Sequence, residues 1–155
     1  MIKTILFDFS RVLLNAKDSN YTDSLNLLYK QIYKQPAFNF LDHFELNKKL
    51  LDFIVGLKDK YKLYIFTTGT IQNDIHLKSF IDHIFTKIFT VEEVGFPKDN
   101  EKAYQFIANT ISLKPEEILF IDDLEKNIQA ANLAGLKTIH FTSTEQAIKS
   151  LRSTL

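Results

Sequence analysis

Short continuous hydrophobic runs recur along the chain and are separated by longer segments of mixed polarity. The runs predict five strands, over residues 4–7, 62–67, 87–90, 117–121 and 137–141. Unbroken apolar runs of this length are typical of strands that are covered on both faces of a sheet. The pattern therefore favours a sheet that lies in the middle of the molecule.

The segments between the runs carry hydrophobic residues at the three- and four-residue intervals of amphipathic helices. They predict helices that begin near Tyr21, Asn47, Ile71, Asn100, Leu124 and Thr144, with a further short helix within residues 37–46. Asp18 or Ser19 is a candidate cap for the first helix, because its side chain can accept from free backbone N–H groups. Asn100 is a similar candidate further on, and Gly135 stands where a helix commonly ends.

Strands that alternate with helices predict a parallel sheet with right-handed crossovers, which is a doubly wound α/β fold. With 155 residues the chain is most simply one domain, residues 1–155, and is long enough to enclose one well-buried core. A hydrophobic fraction of 45% and 14 Phe residues support a densely packed interior. The fold class thus follows from the hydrophobic pattern, and the domain count follows from the length of the chain.

Charge and composition narrow the classes of partner and chemistry. Lys and Arg number 19, as do Asp and Glu, so no basic field favours nucleic acid or an anionic membrane. The chain has no cysteine, which excludes disulfides, thiolate nucleophiles and cysteine-bound metals. The first apolar run is short for a signal sequence, and no window approaches the roughly 20 apolar residues of a membrane span. We expect a soluble, cytoplasmic protein without nucleic-acid or membrane partners.

Polar side chains follow several predicted strands, at the sheet edge where doubly wound folds bind ligands. They are Asp8 after the first strand, Thr67 and Thr68 after the second, Lys98 in a loop, and Asp122 with Asp123 after the fourth. A carboxylate beside a core is costly unless it is paired or bound to metal. Carboxylates from two strand ends can hold Mg²⁺ together with waters and phosphate oxygens. A nearby hydroxyl and lysine would complete a phosphate pocket.

Each of these residues alone has a simpler interpretation. Asp8 can be a turn former, and Asp122 with Asp123 can cap the following helix and interact with its dipole. Thr67 and Thr68 near a strand end are commonly structural, and a loop lysine such as Lys98 is commonly solvated. Their joint order along one sheet edge is what favours a catalytic site.

That order of motifs resembles the haloacid dehalogenase-like (HAD) superfamily of hydrolases. Its four characteristic motifs are recognisable in Asp8-Phe9-Ser10, Thr67-Thr68-Gly69, Gly95-Phe96-Pro97-Lys98 and Asp122-Asp123, the last followed by Asn127 and Ala134-Gly135. The resemblance covers residues 1–14 and about 47–145. It implies a Rossmann-like core with a helical cap inserted between the first two motifs.

The resemblance also implies roles for individual residues. Asp8 would be the nucleophile that forms an aspartyl-phosphate. Thr67, with Thr68 beside it, would bind the phosphoryl group. Lys98 would balance the negative charge on Asp8 and on the phosphate. The implied substrate is a small phosphorylated metabolite.

A cofactor follows from the same resemblance. Mg²⁺ would lie between Asp8, the main-chain carbonyl of Ser10 and Asp123, with Asp122 supporting the site.

The second acid of the first motif commonly serves as general acid and base in this family, and Ser10 occupies that position here. Without that proton transfer turnover could fall by about 10² to 10⁴. The alternative function is therefore a catalytically weakened domain that binds a phosphorylated ligand or a protein. Dehalogenation would require a halide pocket that the sequence does not reveal.

Two further departures affect the expected shape of the site. Arg11 replaces the usual glycine of the family motif. Its side chain either contacts an anionic substrate group or, as we favour, lies in solvent.

Residues 15–46 are too few for a full cap and predict a reduced helical cap. An open site, a large substrate, or a second copy or partner chain that completes the lid would follow. We expect the aromatic residues of this segment to pack on the core, and we assign the four histidines no role.

Overall fold

A five-stranded parallel sheet forms the centre of the computed structural model, which describes residues 1–155. The strands are β1 (Thr4–Phe7), β2 (Leu14–Ala16), β3 (Phe44–Leu46), β4 (Lys62–Thr67), β5 (Lys87–Thr90), β6 (Ile118–Asp122) and β7 (Lys137–His140). The main sheet has the order β5-β4-β1-β6-β7, while β2 and β3 form a separate antiparallel pair. The predicted doubly wound α/β fold is confirmed.

Eight helices connect or flank these strands. They are α1 (Leu25–Ile32), α2 (Phe40–His43), α3 (Lys48–Val55), α4 (Ile75–Ile84), α5 (Val91–Val94), α6 (Glu101–Thr110), α7 (Glu125–Leu133) and α8 (Thr144–Thr154), with short 3₁₀ turns at Ile71–Asn73 and Pro115–Glu117. None of them has both the length and the apolar character that crossing a bilayer demands.

The register of the central strands determines which side chains meet at the carboxyl edge. Phe7 pairs with Ile65 of β4 on one side and with Ile121 of β6 on the other. Asp8, the next residue, donates its backbone N–H to the carbonyl of Ile121 at 2.8 Å. The ends of β1, β4 and β6 therefore lie at one level, and the side chains that follow them share one crevice.

Alternate residues of the strands feed two hydrophobic cores. Ile5 and Phe7 belong to the core on one face, which includes residues of α3, α4, α8 and the 15–46 segment. Leu6 and Phe66 belong to the core on the other face, with residues of α6 and α7. Because the strands are buried on both faces, their sequences read as continuous apolar runs rather than as alternating ones.

One local prediction was wrong and another was incomplete. Ser24, rather than Asp18 or Ser19, caps the first helix, which begins at Leu25 because Asp18 instead accepts from the N–H of Asn20 in a turn. The short helix expected within residues 37–46 is present at Phe40–His43, and the segment then forms β3, which pairs with β2 and was not predicted. The three-residue strands of this hairpin are too short to show a period of two in the sequence.

The 15–46 segment packs directly on the core. Phe40 and Phe44 are fully buried and lie 4.8 Å apart between ring centroids, as expected for aromatic residues that pack rather than bind ligand. The Tyr29 hydroxyl donates to Asp74 at 2.8 Å, and Asp74 caps α4. The segment is thus joined to the α/β domain by both hydrophobic and polar contacts.

Candidate active site

Asp8 and Lys98 form a buried ion pair at the centre of the carboxyl edge. Asp8 directly follows β1, and its Oδ1 lies 2.6 Å from Lys98 Nζ. Both side chains are less than a tenth exposed. An ion pair removed from water in this way requires good geometry and further partners, because desolvation of both charges is costly.

Lys98 has a second carboxylate partner. Its Nζ lies 2.6 Å from Oδ2 of Asp122, at the end of the neighbouring strand β6. Asp122 is fully buried, and its oxygens also accept from the backbone N–H of Leu124 at 2.8 Å and from the Asn127 carboxamide at 3.0 and 3.1 Å. Asp122 is therefore a fixed acceptor that orients the ammonium towards Asp8.

The surroundings of Lys98 keep its side chain in place. The ammonium lies 5.6 Å from the ring centroid of Phe66 and 5.7 Å from that of Phe120, within the range of cation–π attraction. The Tyr104 hydroxyl donates to the main-chain carbonyl of Lys98 at 2.6 Å. Gly95 ends α5 with φ of 78°, a left-handed conformation that glycine adopts without a Cβ penalty, and the chain then turns into the site.

Three carboxylates converge beside this lysine. Oxygens of Asp8, Asp122 and Asp123 lie within 4.8 Å of one another. When all three are ionised, the single charge of Lys98 leaves the cluster with an excess of two negative charges. Such an excess is unfavourable in a buried site and favours either protonation or a bound cation.

The pKa values show the effect of this excess. Burial raises the pKa of Asp8 to about 7, with Asp122 and Asp123 acting in the same direction against the attraction of Lys98. Burial and the proximity of Asp122 also raise the pKa of Asp123. Burial alone would lower the pKa of Lys98, but the adjacent carboxylates raise it above its ordinary value, so the ammonium stays charged.

A cavity of about 530 Å³ opens over the cluster and brings the predicted residues together. Asp8, Ser10, Thr67, Thr68, Lys98 and Asp123 all line it, whereas Asp122 lies behind them. Thr67 is buried at the end of β4, and Thr68 is exposed. Among the predicted residues, the cavity thus presents two carboxylates, an ammonium and three hydroxyls to one space.

Gly69 allows the 15–46 segment to approach the Thr67-Thr68 turn. A Cβ on Gly69 would overlap the Asn26 carboxamide, whose Oδ1 accepts from the N–H of Ile71 at 3.4 Å. On the other side, Gln72 donates its side-chain N–H to the Gly69 carbonyl at 2.7 Å. The sequence motifs gave no signal for Asn26 or Gln72, because their contacts depend on how a distant segment packs.

Ser10 and Arg11 differ from each other in their hydrogen bonding. The buried Oγ of Ser10 has no hydrogen-bond partner. Arg11 was expected to lie in solvent, and that was wrong. Its Nη2 donates to the main-chain carbonyls of Tyr21 at 3.1 Å and Asp23 at 2.6 Å, because the 18–24 loop passes over the first motif.

Taken together, the fold and the order of these side chains define a hydrolase site of the Rossmann-like α/β class. The haloacid dehalogenase-like hydrolase family profile matches residues 19–141, and the chain belongs to that family. The resemblance stated from the sequence motifs is confirmed.

Similar proteins include two curated phosphatases. The chain is 31% identical over 135 residues to enolase-phosphatase E1 of Shewanella frigidimarina, covering 78% of this chain and 55% of that one. It is 26% identical over 150 residues to glyceraldehyde 3-phosphate phosphatase of Methanothermobacter thermautotrophicus, covering 83% and 64%. The chain therefore spans just over half to about two thirds of the length of these relatives.

A solved structure shares the fold. A HAD family enzyme from Bacteroides thetaiotaomicron, crystallised with magnesium and inorganic phosphate, matches with a TM-score of 0.67 at 18% identity. The match covers 92% of this chain and 95% of that one.

Proposed function

We propose that this protein is a Mg²⁺-dependent phosphatase that hydrolyses a small phosphorylated metabolite through an aspartyl-phosphate on Asp8. The observation that carries the proposal is the position of Lys98 between Asp8 and Asp122 at the floor of the cavity. A pure binding site has no need of a buried carboxylate aimed at the ligand. The names of the two curated relatives and the magnesium and phosphate of the structural neighbour are consistent with this function.

The donor set fits Mg²⁺. The Asp8 and Asp123 carboxylates and the main-chain carbonyl of Ser10 are hard oxygen ligands, and the cluster carries excess negative charge. Asp122 is already occupied by Lys98, Leu124 and Asn127, so its role would be to support the site. Mg²⁺, when bound, would neutralise that charge and polarise the phosphoryl oxygens.

The chain's own residues would divide the remaining work. The free oxygen of Asp8 would attack phosphorus, forming the acyl phosphate and releasing the alcohol of the substrate. The hydroxyl of Thr67 would donate to a phosphoryl oxygen. Lys98 would hold Asp8 in position and offset the charge that develops on the phosphoryl group. Water would then attack phosphorus and regenerate the Asp8 carboxylate.

The test is phosphate release from a panel of phosphate monoesters with Mg²⁺ and with EDTA. We expect wild-type activity that requires the metal, and loss of that activity in Asp8→Asn. Asp18→Asn makes the same chemical change on an exposed loop outside the cavity and should behave as wild type. Activity that survives Asp8→Asn would remove Asp8 as the nucleophile.

The second candidate is a weakened domain that binds a phosphorylated ligand without efficient turnover. The feature that favours it is Ser10, because a hydroxyl without an activating partner is a poor proton donor. It predicts no phosphate release by wild type and a gain of activity in Ser10→Asp. A partner chain or second copy that completes the lid stays a prediction from the short 15–46 segment.

A further inference from the structure

We propose that Asp23 is the general acid and base of this site, in place of the acid that is missing at Ser10. The proposal rests on the proposed phosphatase function and adds a catalytic residue from outside the four sequence motifs. Three observations carry it: the carboxyl groups that line the cavity, the conformation and bonding of Arg11, and the anchoring of the loop that bears Asp23.

Few side chains in the cavity can transfer a proton. Four carboxyl groups line it, and no Glu or His does; the four are Asp8, Asp23, Asp99 and Asp123. Asp8 and Asp123 belong to the charged cluster around Lys98. Asp99 is paired with Lys126 at 3.1 Å, which lowers its pKa and makes it a weaker base. The carboxylate of Asp23 has no ion pair and accepts no hydrogen bond, so it alone is free to serve a substrate.

Arg11 fixes the main chain at Asp23. Its φ of 65° is in the left-handed region that glycine favours, and a side chain there costs free energy. Its guanidinium donates to the carbonyls of Tyr21 and Asp23. Because Arg11 follows Ser10 directly, this bond joins the position of the missing acid to the loop that carries Asp23.

The loop is anchored on its other side as well. The Tyr21 hydroxyl donates to the carbonyl of Ser24 at 3.1 Å, and Ser24 caps α1. Leu25, the first residue of that helix, is 1% exposed in the core. The main chain at Asp23 is thus held on both sides at the cavity wall, which fixes the position of the loop while the exposed carboxyl group stays free to reach a substrate.

The proposed step balances as follows. As Asp8 forms its bond to phosphorus, the bond from phosphorus to the leaving oxygen breaks, and the Asp23 carboxyl gives that oxygen its proton. The Asp23 carboxylate then removes a proton from the water that attacks the aspartyl-phosphate. The products are the alcohol, inorganic phosphate, free Asp8 and protonated Asp23.

The test compares two substrates that differ in their need for an acid. The alkoxide of an alkyl phosphate is a poor leaving group and needs a proton. The p-nitrophenolate of p-nitrophenyl phosphate departs without protonation. Asp23→Asn should lower kcat for the alkyl phosphate by about 10²-fold and kcat for p-nitrophenyl phosphate by less than about threefold. Asp18→Asn, a matched change in the same exposed loop, should alter neither rate.

Rescue separates catalysis from a structural role. Adding Ser10→Asp to Asp23→Asn should restore turnover of the alkyl phosphate, because it returns an acid to the first motif. Equal loss on both substrates, or no loss on either, would overturn the assignment of Asp23. If neither wild type nor Ser10→Asp turned over either of the two substrates, that result would instead overturn the phosphatase function on which the assignment rests.

Discussion

Lys98 donates to Asp8 at 2.6 Å although the two residues are 90 positions apart in the sequence. The same ammonium reaches Asp122, so one cation joins the ends of two neighbouring strands. Three segments of the chain therefore have to be in place before the Asp8 carboxylate is positioned. We therefore expect the stability of the fold and the geometry of the site to depend on the same contact.

Replacing Lys98 should affect stability as well as activity. Lys98→Met leaves two buried carboxylates without their counter-charge and should lower the free energy of unfolding by about 3–5 kcal/mol in EDTA. The measurement is urea unfolding at neutral pH. Lys49→Met removes an exposed pair with Glu145 of the same 2.6 Å length and should change the unfolding midpoint very little. Similar shifts for the two variants would contradict the description of the Lys98 cluster.

Mg²⁺ affinity should depend on pH around neutrality. Burial raises the pKa of Asp8 to about 7, so in the metal-free protein Asp8 carries a proton below that pH. Mg²⁺ requires the carboxylate, so affinity is full above pH 7 and falls by up to about tenfold for each pH unit below it. Calorimetric titration at pH 8, 7 and 6 measures this. The affinity of Asp8→Asn should be low and much less dependent on pH; constant wild-type affinity would contradict the prediction.

Two substitutions at Arg11 should separate backbone strain from loop anchoring. Arg11→Gly and Arg11→Ala both remove the bonds to Tyr21 and Asp23, but only glycine adopts a φ of 65° without penalty. Arg11→Ala should therefore be less stable than Arg11→Gly by about 1–2 kcal/mol in thermal or urea unfolding. Both should turn over an alkyl phosphate more slowly than wild type. Equal stability of the two variants would show that the left-handed conformation is not maintained.

The contact between Gly69 and Asn26 predicts coupling between the 15–46 segment and the Thr67-Thr68 turn. Gly69→Ala displaces the Asn26 carboxamide and breaks its bond to the N–H of Ile71, at a cost of about 1 kcal/mol. Asn26→Ala breaks the same bond directly. The double variant should be little less stable than either single one, because both lose one shared interaction. Additive losses in urea unfolding would contradict the contact.

The sequence predicted the parts of this structure that depend on local pattern. The five strands of the main sheet are close to their expected positions because they are buried on both faces and read as continuous apolar runs. Asp8, Thr67 and Asp123 were expected at one edge because parallel strands end together. The family was recognised from motifs at those same strand ends.

Other features were outside the reach of local pattern. The family resemblance placed Lys98 near Asp8, but nothing in the residues around Lys98 indicates its second contact with Asp122, since that arrangement depends on three separated segments. The bonds of Arg11 to the 18–24 loop join residues that are 10 and 12 positions apart, and they depend on where that loop lies over the first motif. The hairpin of β2 and β3 has strands of three residues, too short to show a periodic signal.

The most direct test of the central claim is chemical identification of the phosphorylated residue. Wild-type protein is mixed with a phosphate monoester labelled in its phosphoryl group and Mg²⁺, quenched in acid within a single turnover, and digested. We predict a label that hydroxylamine removes, as expected of an acyl phosphate, on the peptide that contains Asp8, and no label in Asp8→Asn. Turnover without any such label, or the same label retained in Asp8→Asn, would contradict the proposed mechanism.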